Sequence, residues 1–133
     1  MYHITLDITS KIIFIEFTGG MNVDEINAYI NDLLEIIDKF SNKELSMLVL
    51  AQRMDVIPQN CLQNFMKTTE ITLTRFKKVA AVHSRFVTQM QMKRLEAEVY
   101  NNINTETRIL RFKSKKEALD YLLYDKIDNF VLY

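Results

Sequence analysis

Apolar and polar positions alternate with a period of two in the first nineteen residues. "YHITLDI" and "KIIFIEFTG" are two β-rich runs separated by "TSK", a pattern that predicts a hairpin. In the second run Ile13, Ile15 and Phe17 share a uniformly apolar face, which is expected to point at the core; Ile12, Phe14, Glu16 and Thr18 share the other. "GG" at Gly19 and Gly20, the two glycines of the chain, ends the run where the backbone must break.

The period then changes to that of a helix. In "MNVDEINAYINDLLEIIDKF", Val23, Ile26, Ile30, Leu33, Ile37 and Phe40 recur at helical spacing, with Asn22 placed as N-cap and Asp24 and Glu25 suited to the first turn. "LSMLVL" is almost continuously apolar, as a central strand covered on both faces should be. Residues 59–76 predict a helix burying Leu62, Phe65, Met66, Thr69, Leu73 and Phe76, although its centre, "TTEITLT", has β propensity. "KKVAAVH" predicts a buried strand and "SRFVTQMQMKRLEAEVYNNI" a helix with Ser84 as cap and Met92, Leu95, Val99 and Ile103 inward. "TRILRF" is a strand, and "SKKEALDYLLY" a helix opened by the capping box of Ser114 and Glu117.

The order ββαβαβαβα predicts a single α/β domain over residues 1–124: a mostly parallel sheet of about five strands, opening with a hairpin and packed with about four helices. The tail, residues 125–133 ("DKIDNFVLY"), is too apolar for a solvated end and is expected to dock on the sheet edge or on a second chain.

Composition narrows the function classes. With 133 residues, 48% hydrophobic and 26% charged, the chain has the balance of a globular domain that needs no staples. The single cysteine, Cys61, excludes an intrachain disulfide, and "MYHITLDITSK" lacks the basic and apolar regions of a secretory signal. No apolar run approaches the roughly 18 residues that span a bilayer. These features point to a cytoplasmic setting. The net charge of zero hides an asymmetry: residues 1–70 hold ten acidic and five basic side chains, residues 71–133 twelve basic and seven acidic. Such a split can mark an anionic partner or an ordinary dipolar surface. No recognition-helix signature or aromatic-interleaved basic strand accompanies it, so nucleic acid is not an expected partner. His3 and His83 lie too far apart in sequence for metal-ligand spacing, and no cofactor is implied.

Several segments carry a resemblance to a known family. "YHITLDITSKIIFIEFTG" as opening hairpin, "LSMLVL" as central strand, "RFKKVAAVHS" as the strand entering the third helix, and "TRILRFKSKKEALDYL" as the closing pair resemble the bacterial STAS fold. The similarity is to its branch of sporulation anti-sigma-factor antagonists (SpoIIAA-like). In the last segment Phe112, Glu117, Ala118, Leu119 and Leu122 fall where that family carries "F…EAL..L". The resemblance covers about residues 2–124. It implies a regulatory module that binds another protein and is switched by phosphorylation of a hydroxyl residue at the start of the second helix. A helix N-terminus stabilises an added phosphate, and the new charge disrupts an interface. In this chain residues 51–61 contain no Ser, Thr or Tyr, so that switch is not expected. Cys61 is the nearest nucleophile, but no basic neighbour in sequence would activate it.

The candidate functional residues follow from loops at the carboxyl ends of strands. After the central strand, Gln52, Arg53, Met54 and Asp55 predict a loop whose charged pair flanks an apolar tip, either a docking loop or a solvated connection. At the next strand-to-helix turn, His83, Ser84 and Arg85 predict an anion site or a phospho-acceptor, with Ser84 as helix cap the plainer alternative. A catalytic His–Ser pair is not supported, since no nucleophile elbow or orienting acid is visible. Met54, Met66, Met90 and Met92 are expected to fill the core or to line an adaptable apolar cavity or interface. The expected function is therefore a non-enzymatic interaction module, binding another protein or a second copy as a homodimer through residues 51–58 and 83–86. The alternative is a carrier or sensor of a small apolar or anionic ligand between sheet and helices, which kinship of the resembled branch with CRAL-TRIO lipid carriers also implies.

Overall fold

A computed structural model describes residues 1–83 and 85–125. The elements are β1 (Tyr2–Asp7), β2 (Ile12–Gly19), α1 (Val23–Ile37), β3 (Ser46–Met54), a 3-10 turn (Gln59–Cys61) running into α2 (Leu62–Arg75), β4 (Val79–His83), α3 (Phe86–Asn102), β5 (Ile109–Phe112) and α4 (Lys115–Tyr124). The five strands lie in sequence order, β1 antiparallel to β2 and all others parallel. This is the predicted architecture, with the hairpin and each β-to-α alternation in place.

Strand periodicity divides the core into two layers. Ile13, Ile15 and Phe17 of β2, with Met47, Val49 and Ala51 of β3 and Ala81 of β4, face Ile26, Tyr29 and Leu33 of α1, Phe65 of α2 and Leu95 of α3. Ile12, Leu48, Ala80, Val82 and Phe112 face the other way, onto Ala118 and Leu122 of α4. Three helices thus cover one face of the sheet and a single short helix the other. Among the described residues, the outer face of β1–β3 beside α4 carries a shallow groove lined by His3, Thr5, Phe14, Glu16, Leu50 and Lys115.

Local chemistry explains the element ends. Asp7 Oδ1 accepts from the backbone N–H of Thr9 at 3.0 Å, fixing the hairpin turn. Asn22 Oδ1 accepts from Glu25 N at 2.8 Å and Ser114 Oγ from Glu117 N at 3.2 Å, two of the three predicted caps. Gly19 sits at φ +66, a conformation that favours glycine, and its carbonyl accepts from Asp55 N at 2.9 Å. The Thr-rich helix α2 survives its β propensity because its hydroxyls bond back to their own helix: Thr68 and Thr69 donate to Phe65 O, Thr72 to Thr68 O and Thr74 to Glu70 O.

Two expectations are corrected. The central strand runs on to Met54, because a bulge changes its register against β2: Glu16 pairs with Leu50, but Thr18 pairs with Arg53. The extra residue puts Gln52 and Arg53 outward in succession and turns Met54 inward, where it is 2% exposed. Met54 is therefore core, not an exposed apolar tip. At α3 the N-cap position is occupied by Arg85, with no side-chain cap bond, in place of the predicted Ser84. Ser84 itself, and with it the phospho-acceptor expectation, lies outside the described residues, as does the docking of the tail beyond Asp125.

Candidate functional site

The carboxyl ends of β3 and β4 bring the two predicted loops together. Arg85 Nη1 donates to Asp55 Oδ1 at 2.6 Å, with both side chains about half exposed. Behind this pair the loop after β3 is clamped to α3. Gln91 Oε1 accepts from Ile57 N at 2.8 Å, and Gln91 Nε2 donates to Ile57 O at 3.0 Å. Ile57 is buried, and Thr88 on the same helix is fully buried. The backbone of the loop is thus held on both sides, by Gly19 and by Gln91.

On this frame apolar side chains stand out in solvent. Val56 in the loop and Phe86, Val87 and Met90 on the first turns of α3 are all exposed, Phe86 by 68%. Positions 86, 87 and 90 fall on one side of the helix. Gln52 and Arg53 are exposed on the adjoining end of β3. Sequence reasoning placed the face at residues 51–58 and 83–86 and named Gln52, Arg53, Asp55 and Arg85 within it, but it did not single out Val56 or Phe86 and left Val87 outside. Their exposure depends on the path of the loop and the entry angle of α3, which no local pattern specifies.

The start of α2 offers no switchable hydroxyl. Pro58 precedes the 3-10 turn without a capping side chain. Cys61 is 1% exposed, with its thiol 3.6 Å from the carbonyl of Met21. It behaves as a small core residue.

His83 does not join Arg85 as an anion site. Its side chain lines an inner cavity of about 30 Å³ between the sheet and helices α2 and α3. Arg111 of β5 lines the same cavity and forms a two-point ion pair with Glu96 of α3, Nη1 to Oε1 at 3.1 Å and Nη2 to Oε2. Both are almost fully buried, at 7% and 6% exposure. Burial, with a smaller effect of the Arg111 charge, pushes the His83 imidazole down to about 4, so it is neutral near pH 7. Burial also pushes the Glu96 carboxyl up, against the pull of Arg111. A neutral imidazole facing inward lacks the charge and the position to bind an anion at the helix entrance. Sequence reading missed Glu96 and Arg111, which look like surface charges in "RLEAE" and "TRILRF". Arg111 pairs with Ala81 in the sheet register, and that pairing is the signal that places it inward.

Among the described residues no group of three or more His, Cys, Asp or Glu side chains converges as a metal site, and no helix is long and apolar enough to cross a membrane. The charge asymmetry is partly consumed within the fold: Arg75 pairs with Asp38 at 2.9 Å, and Arg85 with Asp55, each joining the basic half to the acidic half.

A mixed five-stranded sheet opened by a hairpin and layered with four helices defines an α/β protein of SpoIIAA-like fold. The chain is similar to the solved structure of an uncharacterized DUF3478-family protein with that fold from Shewanella loihica PV-4. The TM-score is 0.68, with 92% of each chain covered and 16% identity, a likeness that shows the fold alone. No family model matches the chain, and no curated protein matches it.

Proposed function

We propose that this protein is a STAS-type regulatory module that acts in the cytoplasm by docking another protein, without chemistry of its own. The docking face is the carboxyl end of the sheet. Its apolar contacts are Val56, Phe86, Val87 and Met90, and the exposed Asp55–Arg85 pair and Arg53 supply its polar rim. The observation that carries this reading is the cluster of exposed apolar side chains on a backbone pinned by Gly19 and Gln91. An interface core of apolar and aromatic side chains rimmed by charge is the composition that protein partners bury. The fold supports the regulatory class.

The module works without the hydroxyl switch on α2, since residues 51–61 lack Ser, Thr and Tyr and Cys61 is buried. A carrier role for a molecule of several hundred daltons has less support. The cavity between sheet and helices holds roughly two water molecules, and a large ligand requires the helices to part.

The test uses the intact chain and a Phe86→Asp, Met90→Asp variant as parallel baits. A partner recovered by the first, lost with the second, and binding the purified protein directly supports the docking face. Equal binding to both places the interface elsewhere, and sedimentation of the two proteins alone reveals whether the partner is a second copy.

A further inference from the structure

The cavity beneath α2 and α3 is built with more polar chemistry than a filled core requires. Two of its buried atoms, His83 Nδ1 and Arg111 Nε, find no hydrogen-bond partner within the described protein. Buried polar groups are satisfied in the great majority of cases, so two unpartnered ones on a single small cavity mark a place where something else supplies the bond. Arg111 and His83 stand on one face of adjacent strands, since Ala81 pairs with Arg111 and the side chains of positions 81 and 83 point the same way.

The remaining lining says what that something is. Thr68, Thr69 and Thr72 line the cavity from α2 and commit their protons to helix carbonyls, which leaves oxygen lone pairs on that wall. Arg111, which lines the same cavity from β5, keeps an unpartnered Nε–H donor. A head that both accepts and donates satisfies the two walls together. Charge selects further. The Arg111 guanidinium is already matched by Glu96 on two atoms, and an ionic head would enter a buried space with no free counter-charge, at high cost. Phe17, Tyr29 and Phe65 close the inner end with apolar surface. His83, Met92 and Ile109 are the lining residues that keep partial exposure, and they form the mouth.

We propose that this cavity binds the head of a small neutral molecule carrying one donor–acceptor group, an amide or an alcohol, with its short apolar tail against Met92 and Ile109. The volume admits a head of about two or three non-hydrogen atoms. The site is independent of the docking face and does not rest on the protein-interaction reading.

A matched headgroup series tests it: butyramide, butyrate and butylammonium titrated into the full chain and followed by methyl and amide NMR. The expected result is a saturable, localised perturbation at Met92, Ile109 and the threonines of α2 with butyramide. Butyrate and butylammonium should bind roughly tenfold more weakly or worse. His83→Phe, which removes Nδ1, and Thr69→Val, which removes one hydroxyl at nearly constant volume, should each weaken butyramide while leaving a folded, dispersed spectrum. No saturable perturbation with butyramide, tighter binding of either ion, or unchanged binding in both variants overturns the proposal.

Discussion

Asp55 and Arg85 lie thirty residues apart in the chain, yet their side chains meet at 2.6 Å across the carboxyl ends of β3 and β4. The contact joins the two strand-to-helix connections into one surface. The parallel register of β3 and β4 brings those ends together, Ala51 pairing with His83, and each chain leaves the sheet on the same side.

Because both partners are half exposed, the pair is expected to contribute less than about 1 kcal/mol to folding. Asp55→Asn should therefore leave the urea midpoint nearly unchanged. It should weaken partner binding measurably, since it frees Arg85 from its fixed position.

Phe86 is 68% exposed and makes little of the core, so Phe86→Asp is expected to change stability by no more than about 0.5 kcal/mol. Thermal denaturation checks that limit. The same substitution should abolish partner binding, because it places a charge in the apolar centre of the interface.

The inward turn of Met54 is tested by a pair of substitutions. Met54→Ala removes a side chain that is 2% exposed and should cost about 2–4 kcal/mol in denaturant unfolding. Gln52→Ala, on the exposed bulge two positions past Leu50, where the regular pairing with β2 ends, should cost far less.

How much of this was legible in the sequence differs between fold and site. Period-two alternation, continuous apolar runs and helical patterns located every strand and α-helix among the described residues, and Asn22 and Ser114 were readable as caps because capping is a local bond. Met54 was not readable, since its direction depends on a bulge formed against β2. The polar inner wall was also hidden. Thr68, Thr72, Glu96 and Arg111 are residue types normally found outside, and they are buried here because their partners come from other elements or from their own helix backbone. The exposure of Phe86 and Val87 was not readable either, since it depends on how α3 enters from the sheet.

The buried Glu96–Arg111 pair gives an asymmetric expectation. Removing one partner alone, as in Glu96→Gln or Arg111→Met, should destabilise by about 3–5 kcal/mol, because a buried group is left uncompensated. The double variant Glu96→Leu, Arg111→Met should recover most of that loss, a result read directly from a double-mutant cycle in urea.

His83 supplies a pH dependence with a defined sign. Its folded value of about 4 lies below the ordinary 6.5, so folding favours the neutral ring. Above pH 6.5 both states are neutral and the stabilising effect is fully present. As pH falls from 6.5 towards about 4, the unfolded chain takes up a proton that the folded protein refuses, and stability drops by up to about 1.4 kcal/mol per pH unit. Glu96, with its carboxyl pushed up, acts in the opposite sense, so the difference between wild type and His83→Phe isolates the histidine. The imidazole Cε1–H resonance of His83 should titrate near 4.

The central claim is that the carboxyl end of the sheet docks a protein. Its most direct test is the equilibrium affinity of the recovered partner for wild type and for Phe86→Asp, Met90→Asp, measured on proteins of equal thermal stability. A loss of roughly a hundredfold or more is the expected result, as substitution at the centre of an interface produces. Equal affinity for the two proteins would contradict the account.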